Sequence, residues 1–475
     1  AHWEYQTGAS GSTCVEQGDG LRHEVLAYLH CRACRQKKVF PQYGNTGAGM
    51  GTCSTLTEMT GEQRQSPSAP WTDDAFWAPT RRAVEEASAL PADCYADQEF
   101  FDLESEKVFE TAWVCVGTAN ELNAPGQVLV RKLGKRSVLL MRTEAGELHG
   151  FYNSCRHRGT ELFANDCTAG ATLRCPYHRW GYDRDGVLNT TPLFEEVTVK
   201  DFDPTDFSLH PVRTAQWGCL LFACADPHTV EIDEWFGDLT ERVANYQLEN
   251  WVTHLEVDLE MNANWKLISE NYQEYYHVPW IHPELAKVSR VVDHYRFQGP
   301  GMYCGQTTTP ITETSRDDWT VMPKATTLSN GEAVSGRFLA IFPNVLLSLL
   351  PNHAFVLRLE PLEPGKTREH CTWLLPPGNE KVSDEEFAAT RDFWIDINNE
   401  DIDIVERNQR GISQGAYTPG RLSPRFEEPL HRFYNMLADH MTGTRRIPKG
   451  DESDKIPSYG EGTNPHPWTK EARKS

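Results

Sequence analysis

The chain has 475 residues, 39% hydrophobic and 24% charged, the composition of a folded globular protein long enough for two packed domains. Its 46 Lys+Arg against 68 Asp+Glu leave a formal net charge of −22, which sets long-range electrostatics against nucleic acid and anionic membrane as partners. The longest apolar stretch, 338–350, is broken by Pro343 and Asn344 and reads as strand rather than membrane span, so a soluble protein is expected.

Residues 1–92 are rich in Gly, Ser, Thr and Gln and read as an irregular N-terminal extension. It holds Cys31 and Cys34, with Cys14 and Cys53 on either side, at spacings that match no standard zinc site. The chain has 13 cysteines in all, and those at 94, 115, 219, 224, 304 and 371 stand among apolar neighbours without framework spacing. They read as buried thiols of a reducing compartment, cytoplasm or plastid stroma. Cys167 is expected to be a free thiol.

From Asp97 the residues Phe100, Leu103, Val108 and Trp113 fall near helical spacing, which places a leading helix at the start of a domain spanning 93–228. Short alternating runs follow, GQVLVRKL, RSVLLMRT and ELHGFYNS, divided by Gly-containing or charged turns. They predict antiparallel strands in a small all-β unit over about 113–226, closed by WGCLLFACADP. IDEWFGDLTERVANY predicts a helix opening a second domain, 229–445, with strands at THLEVDLEMN, RFLAIFPNVLLSLL, HAFVLRLEPL and REHCTWLLPP. A long helix starts at Ser383, where S-D-E-E has the capping-box pattern, and is expected to stop at Gly411. Residues 446–475 form a polar tail.

Two constellations carry chemistry. The first is Cys155 and His157, then Cys175 and His178, spaced C-x-H-x17-C-x2-H on two loops within the all-β unit. Two thiolates and two imidazoles suit a tetrahedral zinc, and equally a [2Fe-2S] cluster in which Cys binds one iron and His the other. Each loop follows a strand, no helix carries paired histidines, and the C-x-H order departs from zinc-finger spacing. The second is Glu274, His277 and His282, spaced E-x2-H-x4-H. On a helix Glu274 and His277 would share a face, and Pro279 would distort the helix so that His282 swings toward His277. Two imidazoles and one carboxylate with open positions form the facial triad of non-haem Fe(II) oxygenases. The helix from Ser383 offers Asp396, Asp401 and Asp403 as the third ligand.

CRHRG followed by CPYHRWGYDRDG, with NYQEYYHVPWIHPEL and NEDIDIVERNQRG downstream, resembles the α subunits of Rieske non-haem iron oxygenases over about 95–437. The resemblance is strongest to the choline monooxygenase, glycine betaine demethylase and carnitine oxygenase group. It implies an α+β chain, with a small all-β Rieske domain followed by a helix-grip-type catalytic domain built on a central antiparallel sheet. It also implies a Rieske [2Fe-2S] cluster on the first four ligands and a mononuclear Fe(II) on His277, His282 and Asp401. The expected assembly is a homotrimer in which Glu274 bridges His277 and a cluster histidine of the adjacent subunit, His178. O2 and a small molecule are the expected substrates, with electrons from a ferredoxin or flavin reductase. A quaternary amine needs aromatic faces, for which Tyr276, Trp280, Phe355, Trp373 and Trp394 are candidates. The rivals are a Rieske oxygenase of an aromatic or other uncharged molecule and a Rieske electron-transfer protein without oxygenase activity. Where many relatives have Gly after the second cluster histidine, this chain has Arg179.

Overall fold

The computed structural model describes residues 69–196, 199–289, 291, 294–308, 322–379 and 381–450. Cys14, Cys31, Cys34 and Cys53 and most of the C-terminal tail lie outside them. Residues 69–92 form short turns and the helix α1 (Asp74–Trp77), whose Trp71 and Trp77 are buried and meet Phe100 at ring-centroid distances of 5.5 and 6.4 Å. The helices α2 (Asp93–Ala96) and α3 (Gln98–Glu104) follow, the latter capped by the Asp97 side chain accepting from the Phe100 N–H.

Among the described residues between 113 and 226 the structure contains strands and 3-10 turns but no α-helix. Strands β1 (Val114–Thr118), β2 (Gln127–Leu133), β3 (Arg136–Arg142), β4 (Leu148–Tyr152), β5 (Cys167–Thr168), β9 (Pro211–Trp217) and β10 (Leu220–Cys224) form one antiparallel sheet in the order 1-10-9-4-3-2-5. Inserted between β5 and β9 is a three-stranded sheet of β6 (Leu173–Arg174), β7 (Gly181–Tyr182) and β8 (Leu188–Thr190). A separate apolar cluster containing Leu139, Phe151, Trp180 and Tyr182 fills the space under the ligand loops.

The predicted helix over 232–246 is divided. It becomes α4 (Ile232–Phe236), α5 (Leu239–Arg242) and a 3-10 turn, Ala244–Tyr246. The break is at Gly237, with φ 56°, where a Cβ would lie 1.9 Å from the Pro300 carbonyl oxygen. Periodicity cannot register that close backbone approach.

The second half holds a seven-stranded antiparallel sheet in the order 11-17-16-15-14-13-12. Its strands are β11 (Val252–Met261), β12 (His294–Phe297), β13 (Tyr303–Thr308), β14 (Gly336–Ile341), β15 (Val345–Leu349), β16 (Ala354–Glu363) and β17 (Lys366–Leu375). The helices of this half are α6 (Trp265–Gln273), α7 (Val278–Ile281), α8 (Leu285–Val288), α9 (Asp384–Gly411) and α10 (Glu428–Thr442). The two-residue period of the strands sorts the sheet: Leu255, Val257 and Leu259 of β11 alternate with Glu256, Asp258 and Glu260 on the other face. The charged face lines a cleft of about 750 Å³ toward β1 and β2. The cleft is larger than the cavity beside the second constellation, but contains none of the candidate metal ligands.

The halves are stitched at Asn344, whose amide oxygen accepts the Cys115 N–H at 2.9 Å and whose Nδ2 donates to the Cys115 carbonyl at 3.0 Å. Ser383 forms the expected capping box with Glu386, but α9 runs through Gly411, which keeps helical angles, and continues into a π turn over Ile412–Ala416. Gly411 offers freedom without requiring it.

Candidate metal centres and substrate cavity

The two upstream loops are built alike. The Cys155 N–H donates to the Thr160 carbonyl at 2.8 Å, while the Gly159 N–H donates to the Cys155 carbonyl at 2.8 Å. In the second loop Cys175 donates to the Trp180 carbonyl at 2.8 Å and accepts from Arg179 at 3.1 Å. Both loops turn on a left-handed residue, Gly159 at φ 74° and Arg179 at φ 60°. Glycine suits that geometry without strain; an arginine held there is strained.

These turns bring the four candidate ligands together. Cys155 and Cys175 are buried, and the His157 and His178 ring centroids are 4.7 Å apart. Tyr182 places its hydroxyl 3.2 Å from the Cys155 Sγ and accepts the Arg156 N–H at 3.0 Å. His157 stacks on Trp180 at 4.6 Å, and burial, His178 and Arg158 hold its imidazole below the ordinary value, favouring the neutral form a metal requires. Its Nδ1 is buried with no hydrogen-bond partner. An orphaned ring nitrogen beside two buried thiols is what a metal cluster would satisfy.

Arg156 ties its loop to the Ser208 carbonyl at 2.7 Å, and the Arg158 guanidinium lies 6.0 Å from the Tyr177 ring centroid. Cys167, expected as a free thiol, is disulfide-bonded, whereas Cys94, Cys115, Cys155, Cys175, Cys219, Cys224, Cys304 and Cys371 are free and buried. No spacing rule connects Cys167 to a partner, so its pairing was invisible in the sequence.

The downstream centre begins with α6, locked by a buried ion pair. Lys266 Nζ lies 2.7 Å from Glu104 Oε1, and Trp265 Nε1 donates to the other carboxylate oxygen at 2.8 Å. One turn on, Glu270 accepts the Tyr95 hydroxyl at 2.8 Å, and burial pushes its carboxyl up to about 8. The helix ends at Gln273, so Glu274 is in extended backbone (φ −105°, ψ 157°) and shares no helix face with His277. Their contact comes from a turn: Glu274 accepts the Tyr276 N–H and the His277 N–H, the latter at 3.1 Å, and also pairs with His277 Nδ1. Pro279 sits in the first turn of the new helix α7, where its missing N–H is harmless, rather than distorting a longer one.

His282 follows α7, buried, with Nε2 2.9 Å from Asp401 Oδ1 and Nδ1 2.7 Å from Glu400 Oε2. His277 Nε2 is 3.6 Å from the same Asp401 oxygen. One ligand atom from each of His277, His282 and Asp401 falls within 4.8 Å of the others. Burial tends to lower His282, but the Asp401 and Glu400 carboxylates outweigh it and hold the imidazole above its ordinary value. The same negative field suits a divalent cation, and the donor set fits the non-haem iron triad.

A cavity of about 100 Å³ opens beside this triad, walled by Tyr272, Tyr275, Phe338, Phe355, Phe393 and Trp394. Phe355 and Trp394 stack at 4.8 Å and 26°. Trp394 Nε1 donates to His353 Nε2 at 2.7 Å, an imidazole that burial pushes down to about 3 and so keeps neutral as an acceptor. Of the sequence candidates, Phe355 and Trp394 line the cavity and Trp373 packs behind Phe355 at 4.7 Å. Tyr276 is 53% exposed and stacks on Phe426, while Trp280 is 78% exposed; both lie outside the lining. Sequence reasoning missed Tyr272, Tyr275, Phe338, Phe393, Asn398 and Glu400. The spacing Trp394, Asn398, Asp401 is one helix face and could have found Asn398.

Family models match in two places: residues 112–203 fit the Rieske [2Fe-2S] domain and residues 248–443 the ring hydroxylating alpha subunit (catalytic domain). The glycine betaine monooxygenase oxygenase subunit of Chromohalobacter salexigens is 30% identical over 394 residues, covering 74% of this chain and 86% of that protein. The chloroplastic choline monooxygenase of Spinacia oleracea is 25% identical over 375 residues, covering 74% and 78%. A quaternary ammonium Rieske monooxygenase solved with L-carnitine superposes with a TM-score of 0.64 at 23% identity, covering 78% of this chain and 99% of that one, a likeness of fold.

Proposed function

The chain belongs to the family of Rieske-type ring-hydroxylating oxygenase α subunits, and from that premise we propose that it hydroxylates a small quaternary amine such as choline or glycine betaine, by monooxygenation or oxidative N-demethylation. The family carries a Rieske cluster and a mononuclear iron and takes electrons from a separate ferredoxin or reductase. Here Cys155, His157, Cys175 and His178 would hold the cluster, and His277, His282 and Asp401 the Fe(II). When bound, the two groups supply single-electron transfer and O2 activation.

The protein's own part is to fix tautomers, shape the pocket and exclude water. Glu274 engages Nδ1 of His277 and Glu400 engages Nδ1 of His282, so the proton of each ring sits at Nδ1 and each Nε2 is left to face Asp401. The faces of Phe355 and Trp394 can receive a methylated ammonium, a contact contributing about 0.5–2 kcal/mol per ring. The observation that carries the reading is this aromatic cavity opening beside the triad of His277, His282 and Asp401.

A head-to-tail homotrimer is part of the proposal, with Glu274 also meeting the partner subunit's His178. Exposed apolar residues stand near both intended contacts, Tyr177 beside the cluster loop and Tyr276 and Trp280 beside Glu274. No helix among the described residues is long and apolar enough to cross a membrane. Oxygen uptake and product mass, measured with a chemically reduced cluster and a panel of quaternary amines, test the activity. Uptake coupled to an aromatic acid and to none of the amines would favour the uncharged-substrate rival.

A further inference from the structure

Trp394, Asn398 and Asp401 lie on one face of α9 and all line the cavity, so Asn398 stands between the aromatic wall and the candidate iron ligand. Its Nδ2 donates to Glu369 Oε2 at 3.1 Å. Glu369 is fully buried on β17, paired across the sheet with Leu259 and Leu359, and its other carboxyl oxygen has no partner. Burial pushes that carboxyl up to about 7, against the Asn398 hydrogen bond and with a further contribution from Asp401. With Glu369 ionised, turning the Asn398 amide over would leave the carboxylate without its single donor, a buried polar loss. The amide therefore presents Oδ1 to the cavity, where no described residue donates to it.

Gln306 repeats the arrangement. Its Nε2 donates to the Tyr272 carbonyl at 3.2 Å and its Oε1 is buried without a partner. Glu274 is engaged with His277 and Asp401 belongs to the candidate iron triad, and among the described residues the lining contains no Lys or Arg. The Ser289 hydroxyl is within 3.2 Å of both His294 Nε2 and Thr308 Oγ1, so these groups are engaged with one another. Asn271 keeps an amide free to turn either way. The acceptors left to a ligand are thus the amide oxygens of Asn398 and Gln306: a hydroxyl gains a partner there, whereas a carboxylate would set acceptor against acceptor.

Resting on the quaternary-amine reading, we infer that the substrate is a quaternary ammonium alcohol whose O–H is accepted by Asn398 Oδ1, in preference to a betaine bearing a carboxylate. Glu369 is the positioning residue that fixes the amide.

The test is calorimetric titration, at a pH above 8 where Glu369 is ionised, of the cluster- and iron-loaded protein under nitrogen with choline, glycine betaine and tetramethylammonium. Choline should bind about tenfold more tightly than glycine betaine. Asn398→Leu should weaken choline about fivefold, the loss of one hydrogen bond, and leave tetramethylammonium unchanged. Asn398→Asp, which keeps an acceptor, should retain the choline preference and serves where the leucine variant does not fold. Glu369→Gln should keep the ratio of choline to tetramethylammonium affinity, and Glu369→Met should lower it. Glycine betaine binding as tightly as choline, or choline affinity untouched in folded Asn398→Leu, would overturn the inference and leave the quaternary-amine reading standing. If none of the three amines binds, that reading falls with it.

Discussion

The two ligand sets are assembled on different length scales. Cys155, His157, Cys175 and His178 are placed by two short turns whose backbone hydrogen bonds close within five residues. His282 and Asp401 lie 119 positions apart, and meet because a helix anchored by the Glu104–Lys266 pair and a second helix under the sheet bring them together. A locally built site is written in spacing and resists distant change. A site built by packing inherits every weakness of the elements that carry it.

The largest expected effect separates the two sets directly. His277→Ala should lower substrate-coupled oxygen uptake by at least about 100-fold while leaving the visible absorption of the cluster intact, since its loops share no hydrogen bond with His277. Loss of the cluster spectrum in that variant would mean the sets are not independent. Next, Lys266→Met leaves Glu104 buried and unpaired, and should reduce stability by about 3–5 kcal/mol in denaturant unfolding. Iron at the triad should be lost before the cluster. Equal loss of both would contradict the contrast.

The pH dependence is smaller and also falls on the packed half. Burial raises Glu270 to about 8 and Glu369 to about 7, both above their unfolded value. Their folded state therefore holds protons that the unfolded state releases. The associated stability is complete below about pH 4.5 and is lost as pH rises through 7–8. Unfolding at pH 8.5 should need less denaturant than at pH 5.5, by about 2 kcal/mol or more, and Glu270→Gln should flatten the slope. A slope unchanged in that variant would remove Glu270 from the account.

The smallest effect belongs to the cluster loop. Arg179→Gly relieves a left-handed arginine and should stabilise by up to about 1 kcal/mol without altering the cluster absorption. A lower melting temperature would show that the Arg179 side chain contributes more than its backbone strains.

The same contrast explains what could be read from the sequence. C-x-H and C-x2-H marked the candidate cluster ligands, and strand alternation marked most strands of the two seven-stranded sheets, because each signal repeats within a few residues. Asp401 entered through family resemblance, since three aspartates of one helix competed for the role. The contact of Glu274 with His277 was anticipated for the wrong reason: a helix face was expected and a capped turn produces it. The cavity walls on Phe338 and Phe393 come from a strand and a helix distant in the chain, and exposed Trp280 and Tyr276 could not be told from lining residues by type alone. The break at Gly237 and the pairing of Cys167 depend on approaches that no local pattern encodes.

The central claim is that one chain carries two separate metal centres, and iron per chain tests it most directly. The account predicts three irons in the loaded protein and two in His277→Ala, with the cluster absorption equal in both. Two irons in the parent protein, unchanged by the substitution, would contradict it and leave an electron-transfer protein in its place.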